Sequence, residues 1–95
     1  MKRVIEILSP DVRIRARRNG IDVINLNTGE IHHLEFNEIL ELRIREGAVI
    51  DTYAISELVK RKIPITIHSE TGIIAYIIAP KMESRSQIRL KPLQT

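Results

Sequence analysis

Three histidines, a set of spaced glutamates and an alternating row of arginines are the side chains in this sequence with the types needed for chemistry. His32 and His33 are neighbours on an expected strand and therefore point to opposite faces, so they cannot both ligate one metal. His68 shares a face with Thr66, opposite Ile65 and Ile67, and no carboxylate is placed by spacing to orient it toward a nucleophile. Glu35, Glu38 and Glu41 can gather across a bend, but nothing completes a recognisable metal site around them. The absence of cysteine removes thiolate catalysis, Cys-ligated zinc and disulfides together, and agrees with a reducing cytoplasm. The residues therefore predict no catalytic group and no metal site in this chain.

Arg13, Arg15 and Arg17 are different, because they recur at every second position of the run VRIRARR. On a strand they would stand ~6.5–7 Å apart on one face, a spacing that fits successive phosphates. The same row also fits a solvated face that protects a strand from edge-to-edge association, and both readings stay open at this point. Aromatic interleaving for base stacking is absent, which disfavours single-strand readout.

The elements that must position this row are mostly strands. With 95 residues, 43% hydrophobic and 28% charged, the chain fits one small folded domain, and its core must come from Ile, Leu and Val because only three aromatics occur. Period-2 alternation punctuated by Gly predicts strands over 4–8, 12–18, 21–26, 31–36, 39–45, 63–69 and 73–80. Asn19-Gly20 predicts a two-residue type I′ hairpin, which would set Arg17 opposite Asp22 and Arg15 opposite Ile24, with Asp22 partly neutralising the row. Asn27-Thr28-Gly29-Glu30 predicts the next turn. Ile55, Leu58 and Val59 sit at helical spacing within 52–62, with Asp51 or Thr52 as N-cap and Lys60, Arg61 and Lys62 at the negative end of the dipole. The segment 73–80 is apolar on both faces and predicts a strand covered on both sides, by the helix on one face and by a second sheet, a second domain or another subunit on the other. The expected fold is α+β, mainly β: an antiparallel, sandwich-like meander of six to seven strands with one short amphipathic helix.

The net charge of +3 is localised: residues 1–80 hold eleven basic and eleven acidic side chains, so the excess lies in 81–95. Arg85, Arg89 and Lys91 there are further candidates for phosphate contact, against a solvated linker as the plain alternative. No signal peptide follows Met1 and no run approaches ~20 apolar residues, so the sequence predicts an intracellular, cytoplasmic chain without a membrane partner.

The stretch AVIDTYAISELVKRKIPITIHSETGIIAYIIAP, followed by a polar exit with Arg85 and Gln87, resembles the N-terminal β domain of the CRISPR-associated integrase family, Cas-one. The resembling features are a short helix with a basic end, Ile63-Pro64-Ile65, and the turn at Gly72; Lys62 stands where that family often has Gly. The resemblance implies a β-rich domain over 1–80 and, over 81–95, a basic exit toward a helical domain. In the family that domain carries the Glu and His of a metal-dependent DNA endonuclease, so Mg or Mn would be expected there and not in this chain. It further implies a homodimer lying along duplex DNA, with the small protein Cas-two bridging two dimers. Two functions follow as expectations: a non-catalytic dimerisation and DNA-binding module, or a structural β module that binds protein partners through a sheet edge or face.

Overall fold

The computed structural model describes residues 1–80. The basic exit, with Arg85, Arg89 and Lys91, lies outside the described residues.

Strand β2 (Val12–Arg17) buries Val12 and Ile14 and turns its arginines outward, because alternate side chains of a strand face opposite ways. It pairs antiparallel with β3 (Gly20–Asn25), and β3 pairs antiparallel with β4 (Ile31–Glu35). The β2–β3 register places Arg15 opposite Asp22 and Arg17 opposite Gly20, so the loop is Arg18-Asn19 and the register differs by two residues from the expected one. Neither loop residue has a positive φ, so the turn is not type I′. Gly20 is required for another reason. A Cβ there would collide with the carbonyl oxygen of Leu34 and stand 2.8 Å from the Cα of Glu35, so the close approach of β4 excludes any side chain. The β3–β4 turn forms where expected: Asn25 Oδ1 accepts from the backbone of Asn27 and Thr28, and Gly29 takes a φ of 78°.

The remaining strands are β1 (Arg3–Glu6), β5 (Ile39–Arg45), the short β6 (Val49–Ile50), β7 (Ile65–Ser69) and β8 (Gly72–Ile77), with a 3-10 turn at Phe36–Glu38 and helix α1 (Thr52–Lys60) before β7. Two four-stranded sheets result, ordered β1-β5-β7-β8 and β4-β3-β2-β6. Among the described residues the mainly β class and one α-helix are as expected, but there are eight strands and the sheets are mixed. β1 with β5, β5 with β7 and β2 with β6 are parallel pairs. Parallel neighbours need long crossovers. Here one crossover is the whole β2–β4 meander and another is β6 with α1, a connectivity that local alternation cannot reveal.

The core lies between the sheets, where Ile14 and Ile21 meet Leu42, Ile44 and Ile65, all at most 3% exposed. Helix α1 contributes Ala54 and Leu58 to that core and contacts one strand from each sheet, β2 and β7. Its C-terminus closes in a Schellman arrangement: the Lys62 amide donates to the Val59 carbonyl at 2.9 Å and the Ile63 amide to the Leu58 carbonyl at 3.0 Å. Lys62 therefore adopts a φ of 60°, the left-handed position that glycine usually fills. Arg61 secures the same end, donating to the Glu57 carbonyl and carboxylate and lying 4.0 Å over the Phe36 ring.

Strand β8 departs from expectation. It is a sheet edge, and Ile73, Ile74 and Tyr76 on it and Ile78 just beyond it are exposed, so within this chain the strand is not covered on both sides. Apolarity on both faces calls for a cover, but a single chain's pattern does not say whether its own core or another layer supplies it.

Candidate nucleic-acid interface

The arginine row is built by β2 as the alternation predicts, and all three side chains emerge on the outer face of the β4-β3-β2-β6 sheet. Each is anchored by a carboxylate. Arg13 donates to both oxygens of Asp51, with Nη2 at 3.2 Å from Oδ2. Asp51 occupies the N-cap position of α1 but makes no capping bond with its side chain, so its carboxylate serves the arginine instead. Arg15 donates through Nε and Nη2 to Asp22 Oδ2, both at 3.3 Å, and Arg17 Nε lies 3.2 Å from the same oxygen.

Asp22 is the hub of this face. Its side chain is only 6% exposed, screened by the cations that it binds, and its other oxygen lies 2.8 Å from His33 Nδ1. A carboxylate only accepts, so His33 carries its proton on Nδ1. Burial alone would raise the Asp22 pKa; the His33 hydrogen bond, the Arg15 hydrogen bond and the Arg17 and Arg15 charges outweigh it and hold the carboxyl below its usual range.

The anchoring leaves donors free. A guanidinium has five N–H donors, the ion pairs engage one or two per arginine, and the side chains of Arg13 and Arg17 remain 50% and 55% exposed. Arg15, Arg17 and Arg18 border one groove together with Asp51 and the exposed Tyr53. Arg18 and Tyr53 join the row here without having been picked out by sequence. Arg18 belongs to the hairpin loop, and Tyr53 arrives through the docking of α1 beside β2, for which the sequence carries no local signal. The surface can present guanidinium groups to an extended anion, but two aspartates reduce its net charge.

The histidines divide as their parity requires. His33 is committed to Asp22, while His32, paired with Val23, borders an opening beside Val4 and Leu34 at the margin of the sandwich. His68 does have a carboxylate near it, through an intermediary: its Nε2 lies 3.1 Å from Thr66 Oγ1, which donates to Glu41 Oε2 at 3.2 Å. The single hydroxyl proton of Thr66 goes to Glu41, so Thr66 accepts from His68. That is the reverse of the polarity in which a histidine activates a hydroxyl nucleophile. Glu35, Glu38 and Glu41 do not gather. Glu38 Oε2 accepts the Glu35 amide at 2.9 Å, Glu41 is held by Arg43, and among the described residues no three potential ligands cluster closely enough to hold a metal.

No protein-family model matches the sequence, and neither does any curated protein. Solved structures do share its fold. A Cas6-RT-Cas1–Cas2 complex superposes with a TM-score of 0.73 at 15% identity, covering 82% of this chain and 9% of that one. A Cas1 protein from Thermotoga maritima gives 0.71 at 10% identity, covering 84% and 25%. A TtCas1–DNA complex gives 0.68 at 11% identity, covering 86% and 31%. The chain thus spans less than a third of each of these neighbours' length. Two mixed four-stranded sheets with a helix bridging them are therefore a fold that this chain shares with part of the Cas1 proteins.

Proposed function

We propose that this chain is a non-catalytic dimerisation and duplex-DNA-binding module of the Cas1 type. The observation that carries the reading is a basic row displayed on the outer face of a fold shared with Cas1 proteins, one of them solved with DNA and one in a complex with Cas2. Arg13, Arg15 and Arg17 contact backbone phosphates, assisted by Arg18, and Arg85, Arg89 and Lys91 extend the contact. The exposed apolar edge of β8 is the surface for a second copy, and Cas2 is a further partner. The cytoplasm is the compartment that fits this work, and none of the helices among the described residues is long and apolar enough to cross a membrane. Metal-dependent strand chemistry, with Mg or Mn, belongs in this reading to a helical domain of the same system and not to these residues.

The test joins light scattering with duplex-DNA binding across a salt series. Phosphate neutralisation gives a log–log slope of about −0.9 per contact, so replacing Arg13, Arg15 and Arg17 with Gln should flatten the slope by about 2 to 3. A strict monomer without duplex affinity at low salt would sink the proposal, and robust metal-dependent nuclease activity of the chain would overturn its non-catalytic part.

A second reading, a structural β module that binds a protein partner, is favoured by Ile73, Ile74 and Tyr76 exposed on the β8 edge and Ile78 just beyond it. Salt-insensitive association with a protein, and none with DNA, would select it.

A further inference from the structure

The outer face of the other sheet holds a second basic site, separate from the arginine row. Where β1, β5 and β7 end side by side, Glu6, Leu8, Arg43, Arg45, His68 and Ser69 border a cavity of about 190 Å³. The two arginines project from alternate positions of β5, and Arg45 stands opposite His68 in the parallel β5–β7 register.

Arg45 is the anomalous member. Its Nε is buried and has no hydrogen-bond partner, the sole such side-chain atom among the described residues, and its guanidinium forms no ion pair within them. That Nε is closed off from solvent, so the part of Arg45 that can face the cavity is its terminal nitrogens, which carry the unpaired charge. Arg43 spends its Nε on Glu41 at 2.8 Å, which leaves its terminal nitrogens free beside the same space. The cavity is smaller than the ~300–1,000 Å³ typical of sites for whole organic ligands and suits a single tetrahedral group.

We propose that this cavity is an oxyanion site that takes one phosphate group between the terminal guanidinium nitrogens of Arg45 and Arg43. Planar guanidinium groups are well matched to phosphate oxygens, and two of them converge here. Glu6 lines the same cavity without pairing with either arginine, and its charge opposes the anion. That opposition keeps the intrinsic affinity weak, and it also supplies a diagnostic.

The experiment follows the arginine Nε–H signals of the ¹⁵N-labelled chain by NMR during titration with inorganic phosphate, with chloride at matched ionic strength as the control. The expected result is a saturable shift of the Arg45 signal with phosphate alone. Glu6→Gln, at an exposed position, should tighten binding by about 3-fold or more, as expected for removing one like charge from the cavity wall even when it is screened almost as in bulk water. Arg45→Gln should abolish binding while its melting curve shows that the chain still folds. A parallel titration with a short oligonucleotide, with and without a 5′-phosphate, distinguishes the sources. Preference for the phosphorylated end assigns a terminal phosphate, equal response to both assigns the nucleic-acid backbone, and response to inorganic phosphate alone assigns a free anion. A shift that is unsaturable, that chloride reproduces, or that Glu6→Gln leaves unchanged would overturn the proposal.

Discussion

Replacing Asp22 with Asn separates the structural from the binding role of the arginine row, because the two roles predict changes of opposite sign. The substitution keeps the side chain's shape, and the Asn oxygen can still accept from His33 Nδ1, now 2.8 Å from Asp22 Oδ1. What disappears is the charge held against Arg15 and Arg17. Hydrogen bonds to charged groups contribute ~1.5–3 kcal/mol when sheltered. The arginine side chains are 35% and 55% exposed, so solvent screening reduces each pair to about 0.5–1 kcal/mol. The expected loss of stability is about 1–2 kcal/mol, a fall in Tm of roughly 5–15 °C for a domain of this size. Denaturant midpoints should shift with the slope m unchanged. Duplex-DNA affinity should meanwhile rise at low salt, and the salt slope should steepen by about 1, because two guanidinium groups lose their internal competitor. Chemical denaturation and fluorescence anisotropy with a labelled duplex read the two effects separately. A folded variant with weaker DNA binding would refute the reasoning, because Asp22 would then be shaping the row and not competing for it. A stability change below ~0.3 kcal/mol would show that the buried hub contributes nothing.

Gly20→Ala should destabilise by about 3 kcal/mol or more, measurable by urea denaturation, because the new methyl meets the β4 backbone and not a flexible side chain. Lys62→Gly should stabilise by about 0.5–1 kcal/mol, since glycine relieves the left-handed φ at some cost in unfolded-state entropy; an unchanged Tm would count against the Schellman assignment. Ile74→Lys, at an exposed β8 position, should leave the melting curve nearly unchanged while dissociating any dimer seen by light scattering, and a dimer that persists would move the interface away from β8. Acid should destabilise the fold through Asp22, Glu41 and Glu57, whose pKa values all lie below normal, Glu41 through its hydrogen bond from Arg43 and Glu57 through that from Arg61. The unfolded chain binds protons first, near its ordinary carboxyl pKa values of about 4. The contribution of these pairs is therefore complete above about pH 5–6 and is lost as pH falls through the lower folded values. Stability that stays flat from pH 6 to pH 3 would contradict these ion pairs.

The arginine row and its partial neutralisation by Asp22 were legible in the sequence, because alternation on a strand is a local property that a two-residue change of register leaves intact. The family resemblance was legible for a similar reason, since Ile63-Pro64-Ile65, the helix end and the Gly72 turn are local signals of how the chain enters and leaves β7. Asp51 was marked as a helix cap, and it does stand at that position, but its partner is Arg13 on a different element. Tyr53 beside the groove, the Glu41–Thr66–His68 chain and the unpartnered Arg45 all depend on contacts between strands far apart in sequence.

By itself, then, the sequence determined the positions of every strand but the short β6, the helix α1, the facing of the arginines and the largely aliphatic core of the described residues, because each follows from periodicities of two or 3.6 residues. Tertiary structure decided the sheet order, the parallel pairings, the turn at Arg18-Asn19 and the reason for Gly20. Those features are set by which backbone edges meet and how closely they approach, and an extended strand carries the same donors and acceptors whichever neighbour it pairs with.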